Sequence, residues 1–357
     1  MPEVQANGTA GHDSKTPKRH PDANRSKQRT GAGGQYGGDD TPSVLRLLPV
    51  SWMPYLQLVR LWPPAALLLI FFPHAFGVLH AAIRAQAPIQ DVVRASILMF
   101  GGSFFFSNAA HIWNDLIDAP LDAQVERTRR RPIPRGAITP KAALVFCATQ
   151  ALGAATPLAC MPLGLWTSFL YALPNIIGTA YYPFAKRHTH WPQLVLGFCI
   201  AWGVIMGEVA MRVQPLVWST DTTGVTVDAS IVCLVAGTGL WVLIYDTVYA
   251  HQDLEADLRV GIRSLAVLLQ GHTKVVLWPV LTLMTGLLLQ AGRLSGLGMP
   301  YYFVSVGGAS VSLGLMLWRV NLQDSKSCWW WFSNGFWWTG GSIGMGLLAE
   351  CYMQVRF

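Results

Sequence analysis

Two groups of acidic residues stand where long apolar runs end. Asn114, Asp115, Asp118 and Asp122 follow one run; Asp246, Asp253, Glu255 and Asp257 follow another. Carboxylates at the edge of a bilayer are costly, so they are usually paired, hydrated or bound to metal. On a helix, Asn114, Asp115, Asp118 and Asp122 fall at about 0°, 100°, 40° and 80°, all on one side. Asp246, Asp253 and Asp257 fall at about 0°, 340° and 20°, a narrower stripe. Two such stripes facing each other form an oxygen-rich cage of the kind Mg²⁺ prefers, with waters and substrate phosphates as further ligands. A diphosphate bridged by metal becomes a good leaving group, because the metal neutralises charge on the departing oxygens. Arg127, Arg129, Arg130, Arg131 and Arg135 follow the first cluster, and Lys186 and Arg187 end another apolar run. Such cations suit phosphate oxygens, arginine bidentately. The plainer reading of Arg129, Arg130 and Arg135 is that they only set membrane orientation.

The elements that must position these residues are membrane helices. The chain is 52% hydrophobic and 13% charged, against roughly 25% charged in soluble domains. Apolar runs of about 20 residues, enough to cross the hydrocarbon, recur from Leu56 onward. Nine spans are expected, at about 58–82, 92–113, 141–161, 163–182, 192–212, 228–249, 273–292, 300–320 and 332–353. The fold class is thus an all-α membrane protein, a bundle of nine transmembrane helices. Residues 1–43 are polar and glycine-rich, and read as a disordered tail before a membrane domain over 44–357. Of 26 Lys and Arg residues, all but Arg84, Arg94, Arg212, Arg293 and Arg356 fall on the N-terminal side of this topology. The positive-inside rule makes that side, and both acidic clusters, cytosolic. The net charge of +7 follows topology, so no nucleic-acid partner is expected. The six cysteines show no metal-ligand spacing.

Three segments carry a family resemblance. Asn114-Asp115-x-x-Asp118-x-x-x-Asp122 with Arg127, Arg131 and Gly136 resembles the first aspartate-rich motif of UbiA-type aromatic prenyltransferases. Tyr182-Pro183-x-x-Lys186-Arg187 is similar to the family's central loop motif. Tyr245-Asp246 through Asp253, with Asp257, Gly261 and Ser264, resembles the second aspartate-rich motif. The similarity covers about residues 45–357.

The resemblance implies helices around a central cavity and Mg²⁺-dependent transfer of an isoprenoid from its diphosphate to an aromatic carbon. It implies that Asn114, Asp118 and Asp122 carry one metal, and that Asp246, Asp253 and Asp257 carry or orient a second. Asp118, Asp122, Asp253 and Asp257 are the expected catalytic carboxylates. Arg127, Arg131 and Lys186 would bind diphosphate; Tyr182, Tyr245 and Tyr249 are candidates to stabilise an allylic cation. Ala256 replaces a frequent aspartate, with Glu255 as a partial substitute, and Arg263 stands where lysine is usual. The segment Ser107–Trp113 and the stretch Arg60-Leu61-Trp62-Pro63-Pro64 depart from the ubiquinone-pathway pattern. The closer likeness is to fungal enzymes that prenylate aromatic or pyrone polyketides in meroterpenoid pathways, with a farnesyl or geranylgeranyl donor. The alternatives are a 4-hydroxybenzoate polyprenyltransferase, a UbiA-like membrane terpene cyclase and an ion-coupled transporter. Endomembrane is the favoured location, with the mitochondrial inner membrane as alternative. Asp115 is a candidate to position or deprotonate the acceptor, and intramembrane Glu208 to face the acceptor end of the cavity. His111 and His251 read as either acceptor contacts or helix-interface histidines. Trp329-Trp330-Trp331 and Trp337-Trp338 read as an interfacial tryptophan belt.

Overall fold

The computed structural model describes residues 47–218 and 225–354. The tail over 1–43 lies outside the described residues. A short helix α1 (Met53–Leu58) leads to Pro63-Pro64, after which α2 (Ala65–Ala85) begins. Proline lacks an N–H that a helix start does not use, so the pair sets that boundary later than the apolar run alone indicates. Next come α3 (Ile89–Asp122), α4 (Pro140–Ala159), α5 (Leu165–His188), α6 (Pro192–Ala210) and α7 (Ala229–Ala250). A 3₁₀ turn at His251–Asp253 joins α7 to α8 (Leu254–Val260), followed by α9 (Leu265–Leu269) and α10 (Thr273–Ser295). A π-helical stretch, Tyr301–Gly307, runs into α11 (Gly308–Arg319), and α12 (Ser325–Gln354) closes the described chain. Thr139 caps α4, its hydroxyl accepting from the Ala142 N–H at 3.2 Å, and Asp228 caps α7.

Seven helical segments are long and apolar enough to cross a membrane: Ala65–Ala85, Ile89–Asp122, Pro140–Ala159, Pro192–Ala210, Ala229–Val260, Leu265–Ser295 and Tyr301–Arg319. The protein is therefore an integral membrane protein. Helices α5 and α12 are also long, but their Pro, Asn, Tyr, Ser and Gly content leaves them less apolar. Helix α3 extends nine residues beyond the expected span end at 113. Its 34 residues reach about 50 Å, well beyond ~30 Å of hydrocarbon. This continuation keeps the first acidic cluster helical beyond the length the hydrocarbon requires.

One feature departs from an all-helical reading. Between α6 and α7, Leu216–Trp218 pairs antiparallel with Val225–Val227, Leu216 opposite Val227. Both segments are rich in β-branched or aromatic residues, which favour extended pairing.

Helices in lipid associate by close packing rather than by hydrophobic exclusion. Here small residues make that approach possible. A Cβ on Gly77 of α2 would collide with the Val204 backbone of α6, and one on Gly207 with the His74 backbone. Gly197 of α6 likewise lies against Gly239 of α7. Phe72, Phe76, Trp241 and Phe336 fill the space between α2, α7 and α12. The tryptophan series is divided: Trp330, Trp337 and Trp338 are exposed on α12, whereas Trp331 is buried and Trp329 packs against Tyr249.

Candidate active site

A cavity of about 250 Å³ lies among α2, α3, α5, α6 and α7, at the end of the bundle where α3 finishes and α5 finishes. Its lining includes Asn114, Asp118, Asp122, Arg127, Arg131, Tyr182, Lys186, Asp246, Tyr249, Asp253 and Asp257. These eleven residues, each singled out from the sequence, thus meet on one cavity. Much of the remaining lining is apolar, with Ala66, Leu69 and Ile70 of α2, Phe106 and Ala110 of α3, and Leu196 and Ile200 of α6. The site therefore joins a charged end to an apolar wall.

On α3, Asn114, Asp118 and Asp122 follow one another at one-turn spacing and line the cavity. The second stripe is assembled differently from the continuous helix assumed above. Asp246 lies on α7, Asp253 ends the 3₁₀ turn, and Asp257 lies on α8. The tighter turn changes the helical phase, yet all three still face the cavity.

Three of the cavity carboxylates, Asp118, Asp122 and Asp253, each hold a cation of the chain. Lys186 Nζ donates to Asp118 Oδ2 at 2.6 Å. Arg131 Nη1 donates to Asp122 Oδ2 at 2.8 Å and to Asp115 Oδ1 at 3.2 Å. Arg127 forks onto Asp253, Nε to Oδ1 at 2.8 Å and Nη2 to Oδ2 at 2.6 Å. Burial works against charge on Arg127, but Asp253 and Tyr249 outweigh it and hold the guanidinium above its usual value. Burial likewise opposes Arg131, and Asp122 with Asp115 reverses the effect. Both arginines are therefore permanent cations facing the space between the acidic motifs. The Lys186 ammonium lies 5.2 Å from the Tyr182 ring centroid, and the Arg127 guanidinium 5.9 Å from that of Tyr249.

Oxygen donors suited to a hard cation are present. Asn114 Oδ1 and Asp118 Oδ1, one turn apart, are buried and have no hydrogen-bond partner among the described residues. Unpaired buried acceptors are expensive and call for an external partner. Among the described residues, no three Asp, Glu, His or Cys side chains converge tightly enough to hold an ion unaided. An incomplete protein cage fits Mg²⁺, which keeps waters and phosphate oxygens in its shell.

Several expectations are corrected. Asp115 does not line the cavity. It is 2% exposed and bound by Arg60 Nη2 at 2.7 Å as well as by Arg131, so it anchors arginines rather than meeting an acceptor. Its helical phase, farthest from Asn114, turns it toward the α1–α2 connector. Tyr245 is also removed from the cavity: its hydroxyl donates to the Trp331 carbonyl at 2.8 Å and accepts from the Phe336 N–H at 2.7 Å, tying α7 to α12. Glu208 does not reach the cavity; it is fully buried and bonded to His80 Nδ1 at 2.5 Å, and His80 Nε2 contacts Ser295 Oγ at 2.6 Å. His251 bonds Thr273 Oγ1 at 2.9 Å between helices. Glu255 is exposed and does not replace the carboxylate absent at Ala256. Arg129 pairs with exposed Glu126, and Arg135 reaches Gln57.

Other residues were given no site role from the sequence. Arg60 lines the cavity and neutralises Asp115. Asn175 and Gln193 also line it, and Gln193 Oε1 accepts the Leu265 N–H at 2.9 Å. Asn175 had a signal, being a lone amide inside an apolar run. Arg263 lines the cavity and fastens the second motif to α5, its N–H on the Lys186 carbonyl at 2.8 Å and Nη1 on the His188 carbonyl at 2.7 Å.

Comparison with known proteins agrees with this architecture. The UbiA prenyltransferase family model matches residues 70–340. The UbiA prenyltransferase claS of Ampulloclitocybe clavipes is 35% identical over 308 residues, covering 83% of this chain and 90% of that protein. The mitochondrial 4-hydroxybenzoate polyprenyltransferase of Schizosaccharomyces pombe is 30% identical, covering 86% and 83%. The DMOA farnesyltransferase nvfB of Aspergillus novofumigatus is 33% identical, covering 78% and 85%. Among solved structures, a UbiA homolog from Aeropyrum pernix K1 superimposes with a TM-score of 0.61 at 20% identity, covering 80% of this chain and 98% of that one. A UbiA homolog from Archaeoglobus fulgidus bound to GPP and Mg²⁺ gives 0.55 at 16%, covering 85% and 99%. The chain belongs to the UbiA prenyltransferase family.

Proposed function

We propose that this prenyltransferase moves a farnesyl or geranylgeranyl group from its diphosphate to a carbon of an aromatic or pyrone polyketide, in meroterpenoid biosynthesis. The observation that carries the reading is the single cavity: two acidic motifs and three paired cations at one end, an apolar wall beside them. That polarity matches a donor with a diphosphate head and a hydrocarbon tail. The kinship with nvfB, a farnesyltransferase, supports the donor class.

Asn114, Asp118 and Asp122, with Asp246, Asp253 and Asp257, would hold Mg²⁺. Bound there, the ion neutralises charge on the leaving diphosphate. Arg127, Arg131 and Lys186 supply further charge-assisted hydrogen bonds to its oxygens, each exchanging a carboxylate for phosphate. Tyr182 and Tyr249 turn aromatic faces toward developing allylic positive charge. Apolar residues of α2, α3 and α6 exclude water that would otherwise capture the cation. We further propose that α5 and α12 join the seven apolar segments as spans, making nine. The active site then faces the cytosol from an endomembrane.

A second reading has its own support. Kinship with the fission-yeast mitochondrial enzyme favours 4-hydroxybenzoate as acceptor, in the mitochondrial inner membrane. Microsomes containing the protein, given labelled farnesyl or geranylgeranyl diphosphate and a panel of phenolic acids and pyrones including 4-hydroxybenzoate, separate the readings. Prenylated polyketide-type products are expected. Product from 4-hydroxybenzoate alone favours the second reading, and a cyclised terpene without acceptor overturns both.

A further inference from the structure

Prenylation of a ring carbon leaves a proton that some group must remove. Four carboxylates, Asp115, Asp118, Asp122 and Asp253, each carry an arginine or lysine, and the other two on the cavity, Asp246 and Asp257, are assigned to metal in the reading above. His111 is placed differently. It lines the cavity from α3, one turn deeper than Asn114 and on nearly the same stripe as Asp118 and Asp122.

Its tautomer follows from its partner. His111 Nδ1 lies 2.7 Å from the Ser107 carbonyl oxygen. A carbonyl only accepts, so Nδ1 carries the hydrogen. In the neutral ring Nε2 then presents a lone pair, and no hydrogen bond to Nε2 is found among the described residues. The backbone bond fixes the ring orientation as well as the tautomer. His74 also lines the cavity and shows the same pattern, with Nδ1 2.9 Å from the Ile70 carbonyl, but it lies on α2 nine residues past its start, whereas His111 is one turn from Asn114 on the helix that carries the first motif. His251 has its Nε2 engaged by Thr273 and does not line the cavity.

We propose that His111 Nε2 is the catalytic base that removes the ring proton of the acceptor. The assignment rests on the prenyl-transfer reading above. As the C1–O bond of the donor breaks, its electron pair leaves with diphosphate. A π pair of the ring forms the new C–C bond to C1, leaving that ring carbon with both hydrogen and prenyl group. His111 Nε2 takes the hydrogen as a proton, and the C–H pair restores the aromatic system. The imidazolium returns its proton to water as products leave. The position fits this order: diphosphate is held at the level of Asp118 and Asp122, and the ring is attacked one or two turns deeper, where water is excluded.

The test is His111→Asn, whose side-chain N–H can keep the bond to the Ser107 carbonyl while no basic nitrogen remains. Wild-type and variant microsomes receive farnesyl diphosphate labelled at C1 and the acceptor identified by the panel above, ring-deuterated at the alkylated carbon. Three quantities are read: diphosphate release, prenylated product and the deuterium isotope effect. The variant is expected to keep diphosphate release, now yielding prenyl alcohol, and to lose product by roughly 10²–10³-fold. A ring-deuterium isotope effect absent from the wild type is expected to emerge. Unchanged product without an isotope effect overturns the assignment. So does a parallel fall in diphosphate release and product, which makes His111 a scaffold residue. A wild-type protein that releases no diphosphate overturns the prenyl-transfer reading, and this assignment with it.

Discussion

Arg127 and Asp253 meet fork to fork across 126 residues of sequence, with Nε–Oδ1 at 2.8 Å and Nη2–Oδ2 at 2.6 Å. The pair joins the loop after α3 to the 3₁₀ turn after α7, so it locks the two acidic motifs at one separation. Only arginine presents two parallel donors to one carboxylate.

Both partners are largely buried, 12% and 16% exposed. Removing Asp253 strands a guanidinium, at a cost of about 3 kcal/mol. Asp253→Ala is therefore expected to lower the unfolding temperature in detergent as well as abolish transfer. Arg127→Lys keeps the charge and loses the fork; it should keep most stability while raising the KM for the prenyl diphosphate. Thermal unfolding and donor titration on both variants check the pair, and a stable Asp253→Ala protein contradicts it.

Asp118 has one oxygen on Lys186 and the other unpaired. The unpaired oxygen is the one available to a cation. Asp118→Asn should reduce kcat by about 10²-fold or more and shift the Mg²⁺ dependence to higher concentration. EDTA should abolish wild-type turnover, with Mg²⁺ restoring it. Full turnover by Asp118→Asn in excess EDTA contradicts a metal-diphosphate site.

Tyr182 and Tyr249 lie beside Lys186 and Arg127 respectively, the cations proposed above to bind diphosphate. A ring that stabilises a passing cation contributes about 0.5–2 kcal/mol. Tyr249→Phe should thus retain most activity, and Tyr249→Leu should lose several-fold in kcat with little change in donor KM. Equal losses in the two variants indicate that the hydroxyl acts, not the ring.

Much of the site was legible because its chemistry is local. Apolar length located α2–α7 to within several residues, and helical phase placed Asn114, Asp118 and Asp122 on one face. Asp115 shows where phase stops: a residue at the edge of the arc faces whichever neighbour packs there, and Arg60 comes from a distant connector. Tyr245 was misread because an aromatic beside Asp246 in sequence points to the other side of α7, toward α12. The paired strands at Leu216–Trp218 and Val225–Val227 depend on a turn between them, and no span pattern reports that. Glu208 was read as facing the acceptor end of the cavity because its partner His80 lies 128 residues away and is visible only in three dimensions.

That partnership supports a prediction independent of catalysis. Glu208 and His80 are both fully buried, on α6 and α2, and Ser295 extends the chain of hydrogen bonds to α10. They are remote from the cavity, near the chain ends of α2, α6 and α10 opposite the carboxylate motifs. Replacing one member leaves a buried polar or charged group without its partner, which costs about 3–5 kcal/mol for an ion pair and ~1–3 kcal/mol for a neutral hydrogen bond. His80→Leu should therefore lower the unfolding temperature substantially, while protein that remains folded keeps its donor KM. The double variant His80→Leu/Glu208→Leu removes both polar groups and should recover part of the lost stability. Detergent-based thermal unfolding of the two single variants and the double variant measures the coupling between the residues. Additive losses, or a raised donor KM in folded His80→Leu, contradict a purely structural tie between the three helices.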